Sequence, residues 1–414
     1  MAQGKEPLRI LHVFGNLGHG GAESRIIDLY RHIDRTRVQF DFVVHYEAAE
    51  TGERCPDSDT LLSVRRPDYF DEQVRDLGGR IYAVPRFKGW NLIDYKRAWT
   101  RLFEMNRGTW RAVQGHMTST AAIYLPIARA AGIGLTIAHA RSAGTDPGLK
   151  GAMTRFIRRP LQEDGVCDVS IACTREAGEA VFGARRMRNG QVVIVPNAID
   201  IAAFSCEPEK RARIREEFGL KDAVVIGHVG RMHYAKNHDL LMRLFAAMKE
   251  KSDLPLKLLL VGGGTTHYVD EVRAMPKRYG IEQDAIFAGD RTDVSAFYAA
   301  FDYFCFPSRY EGLPGSVIEA QASGLDCLIS DRITEDVDVT PLVKRLDIEE
   351  APERWAEVIL QSMAPQGTYD AADALQKRME RIPETQTILK EVGFDVNTQA
   401  ERMMAFYESG SFGT

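Results

Sequence analysis

The chain has 414 residues, of which 44% are hydrophobic and 27% charged, and a formal net charge of −5. That length suits about two domains with sizeable cores, the composition excludes a disordered chain, and so mild a charge gives no argument for nucleic acid as a partner. The charge is uneven: residues 1–200 carry 28 Lys and Arg against 23 Asp and Glu, while the remainder is net −10, so the first half is the one suited to an anionic surface or substrate.

In chain order, the apolar run 9–15 reads as a buried strand, followed by Gly18, Gly20 and Gly21. A helix then starts near Ala22, with Ile26, Ile27, Leu29, Tyr30 and Ile33 at helical spacing. Segments 38–45, 80–85, 111–116, 135–140, 169–174 and 191–197 read as further strands with helices between them. A basic, apolar-faced segment at 148–162 carries Lys150, Arg155, Arg158 and Arg159 beside Met153, Phe156, Ile157 and Leu161. Such a helix either packs on its own domain or lies on an anionic membrane.

After a polar helix within 207–222 a second series begins. It has strands at 224–231, 256–264, 285–290, 303–308 and 326–331, and helices at 238–251, 293–301 and 316–324. Alternating strands and helices imply parallel sheets with crossover helices. The expectation is an α/β chain of two Rossmann-like domains facing each other across a cleft: 1–200, 201–395, and a last helix and tail at 396–414. The six cysteines form no C-x-x-C pair, which reads as reduced thiols without a zinc site. No run of 18 apolar residues and no leader-like start occurs, so a cytoplasmic protein is expected.

Ligands of open α/β sheets bind beyond the carboxyl ends of the strands, so the residues there are the candidates. Gly20 and Gly21 follow the first strand and would let backbone approach an anion at a helix start, although neither a G-x-G-x-x-G nor a P-loop is present. Arg231 and Lys236 follow the strand at 224–231, where a guanidinium fork and an ammonium could neutralise a diphosphate or simply be solvated. Gly263 lies among the glycines that end the next strand. "SRYEGLPGSVIEAQASGLDCLISD" (308–331) places Glu311 before a turn of Gly312, Leu313, Pro314 and Gly315. Ser316 is the expected N-cap and Glu319 is expected in the first helical turn, serving the helix dipole or binding ribose hydroxyls. His116 ends a strand, with His139 and Arg141 at the end of another. Two Asp-x-Asp strings, Asp57/Asp59 and Asp336/Asp338, read as acidic loops rather than a metal site.

With "GHGGAE", "PNAID", "VGRMHYAKNH" and "LLLVGGG", the Glu-x7-Glu segment resembles family 4 retaining glycosyltransferases of the GT-B fold, and their bacterial capsule and exopolysaccharide branch. The resemblance runs from about residue 8 to 410 and includes the family's final helix, which returns to the first domain. It implies a metal-independent hexosyltransferase with no cofactor, using a nucleotide-sugar donor, UDP by default, and a glycan or lipid-linked acceptor. It also implies roles. Gly20 and Gly21 approach the sugars, His116 lies by the reacting carbon, and Arg231 and Lys236 hold the diphosphate. Glu311 contacts the transferred sugar, Glu319 the ribose, and the Leu313–Ser316 backbone (Leu313, Pro314, Gly315, Ser316) the phosphates, with Arg291 near the base. Asp326 departs from the proline usual after "GL". The alternatives are a nucleotide-sugar epimerase and a non-catalytic sugar-nucleotide-binding subunit, with a nicotinamide oxidoreductase weakest for want of its fingerprint.

Overall fold

The computed structural model describes residues 6–18, 20–47, 67–142, 148–365 and 368–412, without the side chains of 148–150 and 266. The chain divides into two compact units, Met1–Ala198 with Val396–Thr414, and Ile199–Asp395.

Unit 1 is a parallel sheet of β1 (Leu8–Val13), β2 (Val38–Tyr46), β3 (Ile81–Pro85), β4 (Trp110–Gly115), β5 (Leu135–Ala140), β6 (Val169–Ala172) and β7 (Val192–Ile194). Its strand order is β3-β2-β1-β4-β5-β6-β7. The strands read as near-continuous apolar runs because helices cover both faces. These helices are α1 (Gly21–His32), α2 (Asp71–Asp76), α3 (Leu92–Met105), α4 (Thr118–Ala130), α5 (Gly148–Arg158), α6 (Arg175–Phe182) and α7 (Ala184–Arg188). In β1 the pleat sends Ile10 and His12 to one face, where Ile10 joins Ile26, Ile27 and Tyr30 of α1 in one core. On α3 and α4, Trp99 stacks on Tyr124 at 4.6 Å.

Unit 2 repeats the design with β8 (Val224–Val229), β9 (Leu256–Val261), β10 (Ala285–Gly289), β11 (Tyr303–Phe306), β12 (Cys327–Ser330) and β13 (Val343–Leu346), in the order β10-β9-β8-β11-β12-β13. Its helices are α8 (Pro208–Glu217), α9 (His238–Lys251), α10 (Thr266–Arg278), α11 (Val294–Ala300), α12 (Gly315–Ala322), α13 (Pro352–Met363) and α14 (Ala371–Glu391). Leu241, Leu244 and Phe245 of α9 pack with Trp355 and Ile359 of α13 over the β8 and β9 side chains. β13 was not expected from the sequence. It is a four-residue edge strand, Val-Lys-Arg-Leu, with no buried residue, so it carries no hydrophobic pattern.

The last helix, α15 (Val396–Ser409), belongs to unit 1, as the final-helix resemblance implied. Val396, Ala400, Met403, Met404, Phe406 and Tyr407 all join the unit 1 core. Where unit 2 begins and ends, the Ile199 N–H donates to the Phe394 carbonyl at 2.9 Å, so the chain's two passages there run side by side.

Two sequence-based expectations shift. Helix α12 starts at Gly315 with Pro314 as its N-cap residue, so Ser316 lies inside the first turn and caps nothing with its side chain. Counted from Gly315, Glu319 is the fifth helical residue, buried in the second turn rather than exposed to the helix N-terminus in the first. The extended backbone of Pro314 ends the loop two residues earlier than a cap at Ser316 would.

Candidate active site

In unit 2 the chain leaves β8 toward β9 on one side, while β11 lies on the other, so β8/β11 is the point where the strand order reverses. Loops leaving such a pair diverge and open a crevice at the strands' carboxyl ends. The two sequence segments singled out above are these loops. The Lys236 ammonium meets the Glu311 carboxylate at 2.7 Å and lies 4.4 Å over the Phe306 ring. The Arg309 N–H donates to the Ala235 carbonyl at 2.7 Å, tying the loops together, and its guanidinium stacks 4.7 Å from the Tyr234 ring. Arg231 is exposed and makes no ion pair among the described residues.

Backbone geometry holds this loop. Asn237, directly after Lys236, is buried in the left-handed region at φ 54°, a conformation Asn tolerates better than most residues, and it turns the chain into α9. Gly262, at φ +130°, lets β9's exit pass beside the Gly230 carbonyl, which an added Cβ would strike at 2.3 Å.

Other candidates are engaged within unit 2. The Gly263 N–H donates to the Asp290 carboxylate at 2.7 Å, so it is already spent. Arg291 pairs with Glu217 at 2.8 Å and Asp293 at 2.9 Å, which hold its guanidinium firmly protonated. As the first residues of α12, Gly315 and Ser316 keep N–H groups that the helix cannot satisfy. Glu319, 7% exposed, accepts from the Tyr298 hydroxyl at 2.9 Å. Tyr298 is fixed in turn because buried arginines cap the end of α11: Arg211 donates to the carbonyls of Ala299, Ala300 and Phe301, and Arg378 to those of Tyr298 and Phe301. Asp338 is held by Arg345 at 2.6 Å. The described residues contain no group of three His, Cys, Asp or Glu placed to hold a metal. Asp57 and Asp59 lie outside the described residues.

In unit 1 the order reverses at β1/β4, and histidines gather there. Arg141, after β5, donates from Nε to His116 Nδ1 at 3.2 Å. A guanidinium only donates, so the neutral His116 carries its proton on Nε2 and donates it in a hydrogen bond to His12 Nδ1 at 3.0 Å. In parallel, the Tyr407 hydroxyl donates to Gln114 Oε1 at 2.6 Å, which turns the Gln114 amide to donate to His139 Nδ1 at 2.8 Å. Burial drives His12 down to about 3, and burial with the Arg141 charge keeps His116 and His139 well below the usual range. All three are neutral at physiological pH. His116 follows β4 rather than ending it, stacks on Phe14 at 4.4 Å, and has both ring nitrogens engaged, leaving no lone pair for a reacting proton. Gly20 is the N-cap residue of α1, with the Glu23 carboxylate folded back over it, whereas Gly21 faces open space. Arg141 was noted in the sequence only as a strand-end cation; its neutral partners appear only in the fold.

Away from the strand ends, α3, α4 and α5 leave an open groove of about 990 Å³ lined by Leu92, Ile123, Ile127, Met153, Phe156 and Ile157, with Lys96 and Arg107 also on it. Segment 148–162 packs on its own domain through some residues and leaves others exposed. Leu161 is buried and Arg158 donates to the Ala180 carbonyl at 3.0 Å, while Phe156 is 75% exposed.

Two Rossmann-like units with a last helix returned to the first, and paired charges at a strand-end crevice, define a glycosyltransferase of the GT-B fold. The chain belongs to the group 1 glycosyl transferases: the family described as "Glycosyl transferases group 1" matches residues 223–364. A full-length relative, EpsF of Bacillus subtilis (strain 168), named a glycosyltransferase, is 32% identical over 96% of both chains. The capsular polysaccharide biosynthesis glycosyltransferase CapH of Staphylococcus aureus is 21% identical over 85% of this chain and 90% of its own. The UDP-Gal:alpha-D-GlcNAc-diphosphoundecaprenol alpha-1,3-galactosyltransferase of Escherichia coli is 22% identical over 75% of this chain and 78% of its own. In fold, the chain is similar to Anabaena Alr3699/HepE, solved in complex with UDP and glucose, with a TM-score of 0.72 at 16% identity, covering 97% of this chain and all of that one.

Proposed function

We propose that the chain moves a hexosyl group from a UDP-sugar to a lipid-linked saccharide in surface polysaccharide synthesis, with retention at the anomeric carbon and without a metal. Unit 2 takes the donor and unit 1 the acceptor. The observation that carries this reading is the Lys236–Glu311 pair in the β8/β11 crevice, beside the unpaired Arg231. The donor's bond from the anomeric carbon to phosphate breaks, and the nucleoside diphosphate leaves with added negative charge. Fixed cations at Arg231 and Lys236, and the N–H groups of Gly315 and Ser316, lower the barrier where that charge develops. Glu311 leaves Lys236 for the sugar hydroxyls, and Glu319, held by Tyr298, binds the ribose. The acceptor oxygen bonds to the anomeric carbon on the face the phosphate leaves, and its proton goes to the departing phosphate. His116 shapes the acceptor side as a neutral ring.

The UDP donor is supported by the UDP-Gal donor of the Escherichia coli relative and the UDP bound in the Anabaena complex, and the lipid-linked acceptor by the former. The α3/α4/α5 groove, with exposed Phe156 and the cations Lys96 and Arg107, suits a peripheral seat on the anionic cytoplasmic face of a membrane.

The test is a thermal-shift screen of UDP-, GDP- and dTDP-sugars with a chelator present, followed by turnover with the sugar that binds. A ligand of the native state alone raises the melting temperature. UDP-sugars are expected to do so; no shift with any of them at millimolar concentration sinks the reading. Epimerised sugar formed without acceptor would shift it to an epimerase.

A further inference from the structure

Arginines that hold this fold together have a recognisable pattern of bonds. Arg378 donates to the Ser323, Phe301 and Tyr298 carbonyls and to the Ser323 hydroxyl, and Arg211 adds the Asp302 carboxylate to three carbonyls. Arg141 differs. It lies among the strand-end loops of unit 1, partly buried, and spends two of its five N–H donors, one on His116 and one on the Asn197 side chain at 2.5 Å. Both acceptors are neutral. No carboxylate pairs with it among the described residues, and Glu23, whose charge reaches it, stays beyond ion-pair distance. Removing a cation from water without a counter-charge is costly, and the cost shows as a guanidinium pushed down to about 10 by burial. The two bonds it does make come from different loops, after β4 and after β7, so they fix the orientation of the fork without neutralising it. Such an arrangement is preorganised for a planar, bidentate oxyanion.

We propose that Arg141 seats an oxyanion, phosphate or carboxylate, carried by the acceptor close to the hydroxyl that receives the sugar. This rests on the transferase reading, with unit 1 as the acceptor side. Asn197 and His116 are then positioning residues. They aim the guanidinium, and the neutrality of His116 leaves its charge for the substrate.

The probes are inorganic pyrophosphate for a diphosphate head, D-glucuronate for an acidic sugar, and D-glucose as the neutral control. The protein is the full chain carrying Arg231→Gln and Lys236→Gln, which removes the strand-end cations of unit 2. Hydrogen exchange at residues 20–26, 116–117 and 139–142 is measured against probe concentration. Protection by pyrophosphate alone assigns a diphosphate, and by glucuronate alone an acidic sugar. Glucose is expected to do nothing. Adding Arg141→Gln should weaken the effective anion by roughly tenfold or more, while Arg141→Lys keeps part of it. The proposal is overturned if neither anion protects these residues, or if protection survives Arg141→Gln. Should Arg141→Gln not fold, the location of protection in the parent chain and the Arg141→Lys affinity decide alone. UDP-sugar binding to a chain altered only at Arg141 should be unchanged. Its absence in the unaltered chain would count against the transferase reading and overturn the assignment to an acceptor, leaving only an anion seat at Arg141 on the anion data.

Discussion

The two units solve the same topological problem with opposite electrostatics. At β8/β11 the side chains are permanently charged and partly open, with Lys236 against Glu311 and Arg231 free beside them. At β1/β4 they are three neutral, buried imidazoles with a single guanidinium above them. Permanent charge suits a ligand that is itself charged, whereas neutral rings offer shape and oriented dipoles to uncharged groups, with Arg141 adding fixed charge beside them. In unit 1 burial has removed the pH sensitivity that histidine ordinarily brings.

The comparison breaks first under acid. Among the described residues, four histidines of unit 1 are depressed: His12 to about 3, His45 to about 4, and His116 and His139 well below the usual value. In unit 2 there are two, His228 at about 4 and His238 at about 2. Each stays neutral when folded and takes a proton when unfolded below about pH 6.5. Stability is therefore complete above that pH and falls as pH drops toward the folded values, by up to roughly 1.4 kcal/mol per pH unit for each histidine. Unit 1 should lose exchange protection before unit 2 on acidification from pH 7 to 4. Simultaneous loss, or loss in unit 2 first, would remove the contrast.

The charged side should break next. Lys236→Ala is expected to cut turnover by roughly 10²- to 10³-fold, the usual effect of deleting one preorganised stabiliser of developing charge, with the fold intact by circular dichroism. Turnover within threefold of the parent would show that the cation is dispensable. Arg378→Ala should cost about 3 kcal/mol in unit 2, because it orphans buried carbonyls at the end of α11, and leave unit 1 protection untouched in hydrogen exchange. Tyr298→Phe removes one hydroxyl from Glu319, so about 1 kcal/mol is expected, read as a severalfold rise in donor KM with little change in kcat. An equal fall in kcat would instead put Glu319 in the transition state.

Much of this was legible beforehand, for identifiable reasons. Apolar strands such as Leu256–Val261 and helices such as His238–Lys251 carry their period in the sequence, and the strand-end rule then put Arg231, Lys236 and Glu311 on loops of one unit. What stayed hidden depended on partners far away in the chain. Gly263 could not be known to donate to Asp290, nor Arg291 to be flanked by Glu217, 74 positions earlier. The cap of α12 was placed two residues late because Ser316 is a good cap by composition, while Pro314 sets the boundary by geometry. Arg141 was invisible as a special cation because what distinguishes it is that no carboxylate pairs with it among the described residues, and no local pattern encodes that.

The return of α15 to unit 1 has a bearing on biosynthesis. Residues 396–409 leave the ribosome after all of unit 2, yet they supply Val396, Met403, Phe406 and Tyr407 to the first core and orient Gln114 through Tyr407. A nascent chain thus carries the first part of unit 1 with an uncovered apolar face until residues 396–409 have emerged. Holding that face apart from other chains during elongation becomes a task for a chaperone.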